Sequence, residues 1–223
     1  MGNAERQQPN NVGEHRWPMA VAVLTAMVLQ WVAPEAGRLV PRWLVPSFEL
    51  ALLVTLIAGD PGRIDRRSRF LRQATTVLIS IMTIATITGL AVLVSDILWG
   101  IKGATGAASL FGRGAALWVT NIIAFSLWYW HFDRGGPAER AAGSRIDPSF
   151  TFPETMSPEG PPEGWMPRYP DYLFLAYTNA TAFSPADTVP VRTWAKMLMM
   201  TESAISFVTG IVVIARAIGV LPG

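Results

Sequence analysis

Glu202 is the position where this chain could most readily do chemistry: a carboxyl about nine residues into an apolar run that extends from 193 to 221. A charge at that depth costs roughly 2.5 to 3.5 kcal/mol, so the group must be partnered, protonated or facing water. It could serve permeation or proton transfer, or it could be a hydrogen-bonded carboxyl that holds a neighbouring loop in place. Upstream, Thr178, Asn179 and Thr181 could line a polar vestibule with side-chain oxygens, or act as ordinary hydrogen-bonding glue between membrane helices. Asp187, shortly before Pro190, suits either a loop-closing acid or a surface carboxylate that caps the turn. Glu49 and Asp96 lie near the ends of apolar runs, where snorkelling to the interface is expected.

Enzymatic chemistry is not expected. His15 and His131 are the only histidines, far apart and without carboxylate or sulfur partners at ligand spacing, so no metal site is anticipated. Asp133 follows His131 closely, but no serine is presented in a nucleophile turn, and no Gly-rich phosphate loop occurs. With no Cys there is neither a thiol nucleophile nor a disulfide framework. No cofactor is expected. A net charge of +2 without a basic stripe interleaved with aromatics gives no reason to expect a nucleic-acid partner.

Residues 171–221 read DYLFLAYTNATAFSPADTVPVRTWAKMLMMTESAISFVTGIVVIARAIGVL. The stretch resembles the pore helix, filter and inner helix of a bacterial potassium channel taken in order. Tyr172, Phe174 and Tyr177 open an aromatic-rich short helix. Asp187-Thr188-Val189-Pro190 is similar to the D-x-x-P that closes the filter loop, and Glu202, Ala215, Arg216 and Gly219 fall where the inner helix carries those residue types. Where that family shows T-x-G-Y-G, this chain has Ala182, Phe183, Ser184, Pro185 and Ala186. A potassium filter replaces the ion's water shell with rings of backbone carbonyls, and glycines let successive residues aim them inward. Both glycines are missing here; Pro185 fixes φ and Phe183 is bulky. The resemblance therefore implies a channel-like fold with a degenerate selectivity filter. Residues 17–133 are similar to an uncharacterised bacterial inner-membrane family that joins such a C-terminal half to further spans.

The elements that must position these residues are membrane helices. Hydrophobic residues make up 51% of the 223 and charged ones only 15%, against about 25% in soluble domains. Residues 1–16 form a polar tail expected to be disordered, and 17–133 hold four apolar runs, at 17–33, 44–59, 73–101 and 115–132. The fourth ends in Trp128, Tyr129 and Trp130, which suit an interfacial belt. Residues 134–170 are rich in Pro, Gly and Glu and are expected to lie as a loop on the membrane surface. In 171–223, a helix from 171 to 183 too short to cross is expected to be re-entrant and is followed by the last span.

The expected fold class is thus an all-α integral membrane protein with five transmembrane helices plus one re-entrant, pore-helix-like loop. Of 18 Lys and Arg, 13 fall on segments that share a side with the amino terminus, which predicts a cytoplasmic amino terminus in the inner membrane. That orientation is the reverse of potassium channels and is similar to glutamate-receptor channels. The partners expected are the lipid bilayer and, because one loop per chain cannot surround an axis, three further copies in a homotetramer. Two functions follow from the resemblance: an oligomeric ion or small-solute pore of altered selectivity, or a non-conducting scaffold or accessory subunit that retains the fold. In either, the pore-loop residues are Thr178, Asn179, Thr181, Ala182, Phe183, Ser184, Pro185, Ala186 and Asp187, with Glu202 behind them.

Overall fold

Long apolar runs can meet their backbone hydrogen bonds only internally, and here they do so as helices. The computed structural model describes residues 13–33, 40–99, 107–143, 146–162, 164–182 and 187–220. In chain order they form α1 (Trp17–Val32), α2 (Leu44–Gly59), α3 (Arg69–Trp99), α4 (Ala107–Phe132), α5 (Pro137–Ala141), β1 (Phe150–Thr151), α6 (Pro153–Met156), α7 (Tyr169–Ala182), β2 (Val189–Pro190) and α8 (Thr193–Val220). Three helical stretches are long and apolar enough to cross a membrane: Arg69–Leu98, Ala108–Gly135 and Thr193–Ala215. α1 and α2, with 16 residues each, span about 24 Å at roughly 1.5 Å per residue, short of the roughly 30 Å hydrocarbon slab.

α4 is the central element. In its most apolar stretch 61% is buried, against 28% in each of α3 and α8, because α1, α3, α7 and α8 all pack on it. Close approach depends on small residues. A Cβ added at Gly114 of α4 would overlap Val213 of α8, and one at Gly89 of α3 would come within 2.6 Å of Leu117 of α4. The chain is helical from Ala107 onward; within that start of α4 Gly114 serves the packing on α8, while Gly112 faces open space.

One end of the bundle gathers the starts of α1, α3, α7 and α8 and the ends of α2 and α4. Arg16 pairs with Asp60 at 3.0 Å, Arg67 with Glu139 at 3.0 Å, and the Phe132 and Trp194 rings meet edge-on at 5.5 Å. Burial pulls the Arg16 guanidinium below its ordinary pKa, and the Asp60 charge opposes the shift. The end of the tail expected to be disordered is a clasp: His15 bridges Arg63, and the Ile64 N–H donates to the Glu14 carbonyl at 2.9 Å. Residues 1–12 of that tail lie outside the described residues.

The 134–170 region also departs from a plain surface loop. It carries α5, β1 and α6, and β1 pairs antiparallel with β2, Phe150 opposite Pro190 and Thr151 opposite Val189. Phe150 is fully buried among the rings of Tyr129, Tyr172 and Trp194, at centroid distances of 5.2, 6.4 and 5.9 Å. Aromatic burial of this kind offsets the ordering of a loop that composition alone reads as flexible.

Candidate functional site

α7 enters at that same end, and the chain returns to it. Tyr169 begins the helix with its N–H donating to Glu14 Oε2 at 2.9 Å, and by Val189 the chain is paired with β1. The 14-residue helix reaches about 21 Å, so its far part stops beside the middle of α8. There Asn179 meets Glu202.

Glu202 is fully buried and makes no ion pair among the described residues. Its Oε2 accepts from Tyr129 Oη at 2.5 Å and from Asn179 Nδ2 at 2.6 Å. Asn179 Nδ2 also donates to the Met199 carbonyl at 3.0 Å, and Ser203 Oγ donates to the Asn179 carbonyl at 3.3 Å. From α4, Asn121 Nδ2 donates to the Glu202 carbonyl at 3.1 Å and to Ser206 Oγ at 3.0 Å. Glu202 Oε1 and Asn121 Oδ1 are buried without hydrogen-bond partners among the described residues. Three helices are thereby joined through one carboxyl, since donors from α4 and α7 both end on α8. The donors that tie α4 and α7 to this carboxyl are a Tyr hydroxyl and an Asn amide.

A second buried network closes the end of the bundle. Glu14 Oε1 accepts from Trp130 Nε1 at 2.6 Å and from Arg140 at 3.0 Å. Arg140 donates further to the carbonyls of Trp130 and Asp133, at 2.8 and 2.9 Å, and lies over the Tyr172 ring at 5.2 Å. Asp133 accepts from the Ser149 N–H and from Tyr172 Oη, both at 2.6 Å. The mouth of the α7 hairpin is thus tied to the amino-terminal clasp and to the end of α4.

The other sequence-derived positions are distributed unevenly. The Thr178 hydroxyl donates to the carbonyls of Phe174 and Leu175, both at 3.0 Å, and that of Thr181 to Tyr177 at 2.8 Å, so each bonds its own helix. Ala182 ends α7, and Phe183, Ser184, Pro185 and Ala186 lie outside the described residues. Asp187 is exposed with φ of 54°. Glu49 and Asp96 do not snorkel. Glu49 is fully buried and accepts from Gln30 Nε2 at 3.0 and 3.2 Å, and Asp96 pairs with Arg113 at 2.7 Å inside the α3–α4 contact. His131 is buried with Nε2 against Thr76 Oγ1 at 2.9 Å.

The interfacial belt is corrected as well: Tyr129 and Trp130 are buried and bonded to Glu202 and Glu14. Sequence reasoning missed Asn121, although an amide in the apolar run from 115 to 132 signals an interhelical bond. It also missed Glu14, for which a polar tail gives no signal. Among the described residues no cluster of three His, Cys, Asp or Glu could hold a metal. No family model, curated protein or solved structure matches the chain.

Proposed function

We propose that this is a channel-like integral membrane protein whose α7 hairpin, from Thr178 to Asp187, faces an axis shared by four copies and passes ions or small solutes without potassium selectivity. The observation that carries the reading is the in-and-return path of the chain: α7 enters at one end, is held at depth by Asn179 on Glu202, and leads back to the same end at β2. That path favours a re-entrant element, and with α1 and α2 taken as short, locally thinned crossings it favours five spans. The outer face of α7 presents Phe174 and Tyr177, and α8 presents Met197, Met200, Phe207 and Ile211, all exposed on a single copy. Such a surface needs lipid or a second copy to cover it. Selectivity for potassium is excluded from the reading on residue chemistry, because Phe183 and Pro185 replace positions that need glycine-like freedom.

A second reading has its own support. Glu202 is fully buried and its Oε2 is engaged by donors from two neighbouring helices, which favours a non-conducting scaffold that keeps the hairpin as an insert. Potassium and sodium flux into proteoliposomes, with the mass of the detergent-solubilised oligomer, separates the two. A tetramer passing both ions at comparable rates supports the pore, and a tetramer passing neither supports the scaffold. A preference for potassium of about tenfold or more overturns the altered-filter argument. A monomer removes the shared axis from both.

A further inference from the structure

The turn between α2 and α3 holds more positive charge than its surroundings neutralise. A cavity of about 350 Å³ opens there, lined by Arg16, Arg66, Arg67, Arg69 and Arg72 above a floor that includes Leu56, Leu71 and Trp130. The volume lies within the range of small-ligand sites. Two carboxylates share the lining and both are engaged, Asp60 by Arg16 and Glu139 by Arg67, each at 3.0 Å. Arg66 donates to the Gly59 carbonyl at 3.1 Å. Arg69 and Arg72 are exposed, and their guanidinium groups make no ion pair or hydrogen bond among the described residues.

Five guanidinium groups against two carboxylates leave a local surplus of positive charge. α3 begins at Arg69, and its amino-terminal dipole adds to the same potential. Ser68 Oγ accepts from the Leu71 N–H at 3.4 Å, and among the described residues the other first-turn amides of α3 have no side-chain acceptor. Forked guanidinium donors pair bidentately with phosphate oxygens, and this cavity lies at the end of the bundle, where the phosphates of lipid headgroups would sit.

We propose that this cavity binds a phosphate-bearing anion seated by Arg69 and Arg72, either the headgroup of an anionic phospholipid or a soluble phosphomonoester. The site is independent of the α7 hairpin and of any conduction.

The test measures the thermal midpoint of the full-length protein in neutral detergent, titrated separately with phosphatidylglycerol in mixed micelles, glycerol 3-phosphate, and phosphatidylcholine. Phosphatidylglycerol or glycerol 3-phosphate should raise the midpoint saturably, and the double variant Arg69→Gln/Arg72→Gln should need about tenfold more of it, on the order of a few-fold per arginine. A response to phosphatidylglycerol alone assigns a lipid headgroup; a response to glycerol 3-phosphate assigns a soluble anion. Arg192→Gln is the control: Arg192 lies at the same end, outside the cavity, loosely paired with exposed Asp147 at 3.5 Å, and its loss should change nothing. If the glutamine variant does not fold, Arg69→Lys/Arg72→Lys takes its place, keeping charge but losing the fork, and should bind about threefold more weakly. The proposal is overturned if neither phosphate compound shifts the midpoint, if phosphatidylcholine works as well, if the cavity variant that folds responds as native, or if Arg192→Gln weakens the response equally.

Discussion

Tyr129 of α4 donates a 2.5 Å hydrogen bond to Glu202 of α8 in complete burial, and the amide of Asn179 on α7 reaches the same oxygen at 2.6 Å. A buried acceptor shared by two donors makes each donor's satisfaction depend on one side chain. Removing that acceptor costs more than the bonds themselves, because the donors cannot turn to water.

Glu202→Gln keeps a carbonyl oxygen for Tyr129 and Asn179 and should lower stability by no more than about 1 kcal/mol, whereas Glu202→Leu strands both donors and should cost about 2 to 4 kcal/mol. Thermal unfolding in detergent reads the difference. Equal midpoints for Gln, Leu and native protein would show that Glu202 holds nothing.

Glu14 should be as important although it precedes the first helix. Its carboxylate takes donors from Trp130, Arg140 and Tyr169, and Arg140 is buried, so Glu14→Ala leaves an uncompensated charge inside the protein. The expected loss is about 3 to 5 kcal/mol, accompanied by faster proteolysis in the 134–170 region.

The contrast between Glu202 and Glu14 shows what local pattern can carry. Apolar run length marks the long helices, and a lone acid at 202 marks a buried contact, because both follow from hydrocarbon being a poor solvent for polar groups. Nothing in the neighbourhood of Glu14, Asp133 or Phe150 specifies their partners, which include Trp130, Tyr172 and Pro190, at 116, 39 and 40 residues away in sequence. Tyr129 and Trp130 depart from an interfacial belt for a related reason: aromatic residues at the end of an apolar run fit a headgroup belt and an aromatic core equally well, and only the packing of β1 against α4 and α7 decides between them.

Two glycines on one helix give an internally controlled test of the α4–α8 contact. A side chain at Gly114 would overlap Val213, while at Gly112 there is open space. Gly114→Leu should therefore destabilise the protein by about 1 to 3 kcal/mol by forcing the helices apart. Gly112→Ala should be neutral or gain up to about 1 kcal/mol from reduced backbone freedom in the unfolded chain. Comparable losses at both positions would mean that helix propensity, and not the contact with Val213, is being measured.

The orientation of the bundle is open to test because the chain has no Cys. Arg63, Arg66, Arg67, Arg69 and Arg72 sit in or beside the turn between α2 and α3, where basic residues most strongly resist translocation. Trp43, exposed just before α2, lies at the other end of that helix, near the end of α1, where Arg42 donates to the Trp31 carbonyl at 3.0 Å. If the 16-residue helices α1 and α2 both cross, Trp43 emerges on the side opposite Asp65. In intact cells an impermeant maleimide should label Trp43→Cys and spare Asp65→Cys until the membrane is opened. Labelling of both in intact cells would mean that α1 and α2 do not cross, which removes two of the five spans. The reversed pattern would retain five crossings and place the arginine turn, together with the mouth of the α7 hairpin, outside; an anion occupying the arginine cavity would then have to come from the external face.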